Sequence, residues 1–408
     1  MLLAVMALGL AGCRNVNEDI FVNQTSTRGD IISYELMGTW DSTAIVNLIN
    51  QVDPFLTIFF AKTYDVQGYK VTYKTPSFDG TPSFATGAVM LPISRDGSPA
   101  NATVISLCHG THIRKRGVPS DFGNGAFESI GVLLAGDGYA MALPDYLGLG
   151  DSPNFHPYVH SATEASATVD LMRATRNLAE IIGVDVSQKV GITGYSQGGH
   201  AALAAHKEIE VNLGNEFDLI GSAPMAGPYD VSGVQEQYML SFDPYPTPGY
   251  LPFTLFSYDM VYDVLPNDVA TAVLLPPYDS IAPYILAQET SMGDINNMCN
   301  EVPRLMIRPE YMDEYLNDPD HPLKIALRDN NLYDGWVPQK PVALFHCKGD
   351  DQVAYENALV AYDAFTSAGA PYVELRTVDN DNDPLNHNDC APGALLAGKL
   401  YLDSLNNL

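Results

Sequence analysis

The most constraining stretch of this chain lies around Ser196. Val190-Gly-Ile-Thr193 is short and mostly apolar, Gly194-Tyr195-Ser196-Gln197-Gly198 follows it, and an Ala-rich helical pattern runs from Gln197 to Glu210. A buried strand that turns directly into a helix leaves no room for β-carbons two positions either side of the turn, and glycine fills both positions here. The central serine of such a turn is lifted above the sheet edge, and the amide of the next residue faces the same spot. Five residues alone say little, because Gly and Ser are common. The strand–turn–helix setting carries the weight.

Around this element, strands and helices alternate. Thr103–Cys108, Tyr139–Leu143, Leu219–Ala223, Val342–His346 and Val373–Thr377 read as buried strands. Phe127–Ala135, Ser161–Ile182, a segment near Tyr355–Ser367 and another near Ala394–Leu405 read as helices. Such alternation predicts an α/β fold with a mostly parallel central sheet and helices on both faces. Ahead of it, Lys70–Thr75 and Ala85–Leu91 flank a turn at Asp79-Gly80 and read as an antiparallel pair, while Thr39–Tyr64 has loosely helical spacing broken at Pro54. Between Gly227 and Lys340 the alternation lapses and tyrosine and proline dominate. Eleven of the 23 tyrosines fall there, which points to an aromatic inserted cap rather than a further sheet unit.

Together these features resemble the α/β-hydrolase superfamily, in which the serine is a nucleophile and is followed in the chain by an acid and then a histidine. Ser196 therefore needs a base further along. His206 lies on the helix after the turn, His321 in the cap, and His346 at the end of a strand; His387 follows the last strand in a loop before the terminal helix, where the base is expected. The acid is expected after the penultimate strand, where Phe345-His-Cys-Lys-Gly-Asp350-Asp351-Gln-Val353 offers two adjacent carboxylates. The resemblance favours Asp350 over Asp351. The amides of Gln197 and of Thr111, in His109-Gly110-Thr111, are the expected oxyanion donors. Pro144 to Ser152 matches a D-x-x-G-x-G-x-S turn with a structural role, so Asp145 is not assigned to catalysis. Arg114-Lys115-Arg116 reads as a solvated or salt-bridged loop.

Four segments in order (His109-Gly-Thr, Pro144 to Ser152, Tyr195-Ser-Gln-Gly-Gly-His200, and Gly349 to Val353 with His387) are similar to the secretory lipase family, from about Val71 to the C-terminus. The resemblance implies a lipase or esterase acting on a small-molecule, lipid or glycan ester, with no cofactor and no metal. Asp379-Asn-Asp381-Asn-Asp383 begins like a calcium loop but has Pro384 where glycine is needed and Cys390 where glutamate is needed. The same machinery could serve an exopeptidase, with Glu236, Asp259 or Asp263 as an amine anchor, or a carbohydrate-ester esterase. A binding lipoprotein without catalysis is the alternative of another class.

Acidic residues outnumber basic ones by 49 to 21, so a nucleic-acid partner is not expected. Met1–Gly12 is an apolar stretch too short to span a bilayer and ends at Leu10-Ala11-Gly12-Cys13, which resembles a bacterial lipobox with Cys13 as the lipidation site. The expected organisation is a signal peptide over 1–12, a tether over 13–38, a core from 39–226 and 341–408, and a cap over 227–340. That places the protein in the bacterial cell envelope, in membrane contact through its lipid anchor. Cys347 and Cys390 each lie three residues from a candidate catalytic residue, and either a bridge or buried free thiols would fit.

Overall fold

The computed structural model describes residues 27–52, 64–95, 101–123, 125–266, 268–380 and 382–407, so Cys13 and the apolar leader lie outside the described residues. The apolar runs assemble into one sheet of nine strands: β1 (Ile31–Trp40), β2 (Asp65–Pro76), β3 (Pro82–Ile93), β4 (Ala102–Cys108), β5 (Ala140–Pro144), β6 (Val186–Tyr195), β7 (Asp218–Met225), β8 (Val342–His346) and β9 (Val373–Thr377). Their spatial order is β1-β2-β3-β5-β4-β6-β7-β8-β9. The first three strands are antiparallel to their neighbours, and β4 through β9 run parallel. This is the α/β-hydrolase fold.

Helices cover both faces because successive residues of the central strands point to opposite sides. Val89 and Leu91 pack with α3 (Ser161–Ile182) and α4 (Gln197–Asn212), whereas Ala88 and Met90 pack with α2 (Ala126–Gly136) and the terminal helix His387–Asn406. Every residue of β4, β5 and β8 is buried. Each large apolar side chain sealed there stabilises the fold by about 1.5–3 kcal/mol.

Two boundaries differ from the sequence reading. Ile31–Trp40 is not tether but the edge strand of the sheet, paired with β2 alone. Its mixed exposure leaves no clean alternation to read, with Leu36 and Met37 on the outside. The terminal helix also begins at His387, not near Ala394. The Asn386 side chain accepts the Asn388 and Asp389 amides and so starts the helix ahead of Pro392. Of the expected helix between Thr39 and Tyr64, Ser42–Val52 is helical (α1), and the Pro54 break lies outside the described residues.

The segment between β7 and β8 is a set of short helices with an apolar core of its own, including Phe253, Leu255, Leu274, Ile285 and Met306. Some of its tyrosines pass their hydroxyls to the main chain of the sheet unit. Tyr245 donates to Gln352 O (2.6 Å) and Tyr258 to Val159 O (3.0 Å). The sites singled out in the sequence therefore gather at the C-terminal ends of β4, β6, β8 and β9, beneath this insertion.

Candidate active site

Ser196 sits between β6 and α4 with φ 62° and ψ −124°, a backbone strained for any residue but glycine. What holds it there is close packing on both sides. A β-carbon on Gly194 would strike the Gly198 carbonyl, and one on Gly198 would strike the Cys108 carbonyl at the end of β4. The loop after β4 presses on the same turn: a β-carbon at Gly110 would stand 3.3 Å from Tyr195 O and 3.5 Å from Ser196 Cβ. That brings His109-Gly110-Thr111 beside the serine. The Thr111 hydroxyl shares a 2.8 Å hydrogen bond with Tyr158.

On the other side of Ser196, His387 Nδ1 is 2.7 Å from Asp350 Oδ2. Both side chains are buried, and His387 lines the same cavity as Ser196. Among the described residues, neither Ser196 Oγ nor His387 Nε2 takes a protein hydrogen bond, and both residues line one cavity. The carboxylate is saturated: Oδ1 accepts the Gln352 and Val353 amides (3.0 and 2.8 Å), and Oδ2 also faces His346 Nε2 at 3.2 Å. Burial alone would raise the Asp350 carboxyl, but hydrogen bonds and charge from His346 and His387 overcome it and hold the group well below the usual carboxylate range.

Asp351 does not touch the imidazole. Its Oδ1 accepts the His387 amide at 3.1 Å, so the neighbouring carboxylates hold the ring and the backbone of the same residue. Asp379, from the run set aside as a calcium loop, clasps this region instead. Its carboxylate accepts the amides of Lys348, Gly349 and Leu385 (2.8, 3.1 and 3.0 Å), tying the acid loop to the His387 loop. A disulfide joins Cys347 to Cys390, with Cα atoms 6.0 Å apart, and adds a covalent tie between the same two segments. Neither role had a local signal, because both depend on β8 and β9 lying side by side.

Asp145 accepts from Thr86 Oγ1 (2.6 Å) and the Ser120 amide (2.9 Å) away from Ser196, and burial pushes its carboxyl up to about 6. Lys115 donates to Ser152 O (2.9 Å), and Arg116 pairs with Asp121 and Asp151 (3.2 and 2.9 Å). Of the three acids considered as amine anchors, Asp259 holds the Leu265 amide at 3.2 Å; none of the three lines the two cavities at Ser196, but Glu236 lines a chamber beyond them. A further histidine beyond the nucleophile, His200, lies outside the candidates weighed in the sequence. It too has a carboxylate partner, Glu164, at 2.6 Å.

Two cavities meet at Ser196. One, of about 340 Å³, opens outward and is lined by His112, Glu128, Gln352 and Asn388 as well as His387. The other, of about 50 Å³, runs under the insertion between Tyr158, Tyr245, Tyr250 and Tyr258. It shares Val231, Gln235, Met239 and Thr254 with an almost wholly apolar chamber of about 90 Å³ inside the insertion.

The secretory lipase family model matches residues 128–239. No curated protein sequence matches the chain. Among solved structures, a protein from Legionella pneumophila is 26% identical, with a TM-score of 0.81 over 92% of this chain and 98% of its own. The rice cell wall degrading esterase LipA from Xanthomonas oryzae is 26% identical, with a TM-score of 0.78 over 94% of this chain and 98% of its own. Candida antarctica lipase A in its closed state, at 15% identity, shares the fold: its TM-score is 0.69 over 93% of this chain and 82% of its own. The chain is thus an α/β-hydrolase resembling the secretory lipases, and a hydrolase of lipase or esterase type. The family likeness points to an extracellular or cell-envelope protein. Among the described residues no helix is long and apolar enough to cross a membrane.

Proposed function

We propose that this α/β-hydrolase cleaves carboxylic esters through an acyl-enzyme on Ser196. His387 takes the Ser196 proton as the hydroxyl attacks the ester carbonyl and gives it to the departing alcohol. Asp350 fixes the ring with its hydrogen on Nδ1 and stabilises the imidazolium without being protonated itself. The Gln197 and Thr111 amides receive the oxyanion, and water later releases the acid. The observation that carries this reading is the strained Ser196 turn sharing a cavity with an imidazole already held by a buried carboxylate.

The two cavities favour an amphiphilic ester. The apolar space under the insertion, which acts as a cap, takes the acyl group, and the open chamber with His112, Glu128 and Asn388 takes a polar alcohol. The likeness to a cell wall degrading esterase is consistent with a glycan-linked ester. Short and long p-nitrophenyl esters, acetylated sugars and aminoacyl anilides, offered to wild type and S196A, test the reading. Ester turnover lost in S196A is expected; absence of Ser196-dependent ester turnover sinks it, and a preference for anilides turns it into a peptidase. We further propose that Cys13 carries lipid and tethers the enzyme to the envelope. C13S should then shift the protein into the soluble fraction, and unchanged membrane association would refute the anchor.

A further inference from the structure

A sealed row of polar side chains runs behind the nucleophile and has no place in the chemistry described so far. His156 Nδ1 lies 2.8 Å from Leu147 O, and His156 Nε2 lies 2.8 Å from Gln197 Nε2. The same Gln197 nitrogen is 2.9 Å from Glu164 Oε1. Glu164 Oε2 is 2.6 Å from His200 Nδ1, and His200 Nε2 is 2.9 Å from Asn330 O. Glu164, His156 and His200 have no exposed surface and Gln197 has 1%.

The direction of each bond follows from which atoms can donate. Gln197 Nε2 has two hydrogens and donates one to His156 and one to Glu164. His156 therefore accepts on Nε2 and donates from Nδ1 to Leu147 O. Burial, the largest influence on it, pushes its pKa down to about 3, so it stays neutral as this arrangement requires. His200 faces acceptors with both nitrogens, so a proton is shared between it and Glu164. Gln197 Oε1, by contrast, has no partner among the described residues. The orientation of the Gln197 side chain thus rests wholly on its two amide hydrogens, one of which ends on Glu164.

We infer that Glu164 is a positioning residue for the reaction proposed above, acting on the oxyanion site through Gln197. The side chain of Gln197 is held at both hydrogens, and the backbone amide of the same residue is the donor aimed at the oxyanion. Ser196 is next to it in a strained turn that would relax if Gln197 were free to move. His200 steadies the turn a second time, since its own amide donates to Ser196 O at 3.2 Å. Fixing a donor to a fraction of an ångström is what separates a productive oxyanion site from an idle one.

The test uses E164A, E164Q and Q197A in the full chain, with turnover of a p-nitrophenyl ester counted per serine titrated by a fluorophosphonate. E164A should lower kcat by about 10- to 100-fold with KM nearly unchanged. Binding of a boronic acid that mimics the tetrahedral intermediate should weaken by the same factor. E164Q should restore both, because the introduced amide can accept from Gln197 and donate to His200 Nδ1, leaving every bond of the row made. A purely structural role would lower the melting temperature while leaving kcat per titrated site alone, and that result for E164A overturns the inference. So does an E164Q enzyme as slow as E164A, which would assign the effect to charge. If E164A does not fold, Q197A, which keeps the backbone amide and the Glu164–His200 pair, should show the same loss, and an unchanged kcat there rejects the inference. A wild type with no titratable, Ser196-dependent turnover defeats the esterase reading instead.

Discussion

Two carboxylate–imidazole pairs flank Ser196, and in their short contact they are nearly alike. Asp350 meets His387 Nδ1 at 2.7 Å and Glu164 meets His200 Nδ1 at 2.6 Å, all four side chains being buried. They differ at the far nitrogen. Among the described residues His387 Nε2 takes no protein partner and its ring borders a cavity, whereas His200 Nε2 is closed off against Asn330 O. A general base needs a nitrogen that can receive a proton from the reacting group, so the first pair can do chemistry and the second can only hold shape. The identity of the residues does not separate them; the access of one atom does.

The sharpest way to break this contrast is to replace both carboxylates by amides. D350N should cost about 10⁴-fold in kcat, because an amide no longer enforces the hydrogen on Nδ1 or stabilises the imidazolium. E164Q should stay close to wild type, and equal losses from the two would erase the distinction between catalytic and positioning pairs. Single-turnover and steady-state rates on one activated ester measure both.

The pairs also differ in how their segments are tied. Among the described residues only the Asp350–His387 side carries a disulfide, its cysteines 43 positions apart in the chain. Replacing Cys347 and Cys390 by alanine should destabilise the protein by about 4 kcal/mol through the unfolded chain's regained freedom. Denaturant titration measures it, and it should also slow turnover by loosening the acid and base loops. Unchanged stability would show that the Asp379 clasp suffices alone.

Acid should act through histidines outside the Asp350–His387 pair. Burial drives His109 down to about 4, His156 to about 3 and His160 to about 4, so the native protein refuses protons that the unfolded chain takes up below the ordinary histidine value. Stability from these three groups is therefore complete above about pH 7 and is lost as pH falls from there toward 4. Asp145, pushed up by burial to about 6, and Glu128, Asp170, Glu236 and Asp259, raised for the same reason, work in the opposite sense toward the ordinary carboxylate range, while His112 and His321, lowered by burial, add to the three. The Asp350 carboxyl is held low and adds its own loss only at still lower pH. Melting temperatures at pH 7.5, 5.5 and 4.5 should fall in that order; a flat profile would contradict the assigned neutrality. The smallest effect belongs to D351N, less than about fivefold on kcat, since the new side chain still offers an oxygen to the His387 amide.

The comparison also shows what was legible beforehand. Ser196 and the flanking glycines were readable because a buried strand entering a helix imposes local rules on a few consecutive residues. Chain order around β8 and β9 pointed to His387 and narrowed the acid to Asp350 or Asp351, and only the family resemblance favoured Asp350. Glu164 was visible only as an acid near the start of a helix, where the helix dipole is explanation enough. Its meaning lies in contacts with Gln197 and His200, 33 and 36 residues away, which no periodicity encodes. The edge strand escaped for a related reason: Ile31–Trp40 is half exposed and paired on one side, so its pattern carries little of the regular alternation of a covered strand. Spacing left the cysteines open between bridge and thiols, because pairing is a property of the folded ends.

The insertion has a consequence for how such an enzyme can change. It leaves the sheet after Met225 and returns at Val342, and these two strands are hydrogen-bonded neighbours, with Met225 paired to Phe345. A long excursion therefore opens and closes across a single step of the sheet, where the entropy cost of closing a loop grows only with the logarithm of its length. Most of the walls of the apolar chamber belong to that excursion, while Ser196, Asp350 and His387 do not. A change in the length of the segment would therefore reshape the chamber while leaving the turn at Ser196 and the Asp350–His387 pair in place.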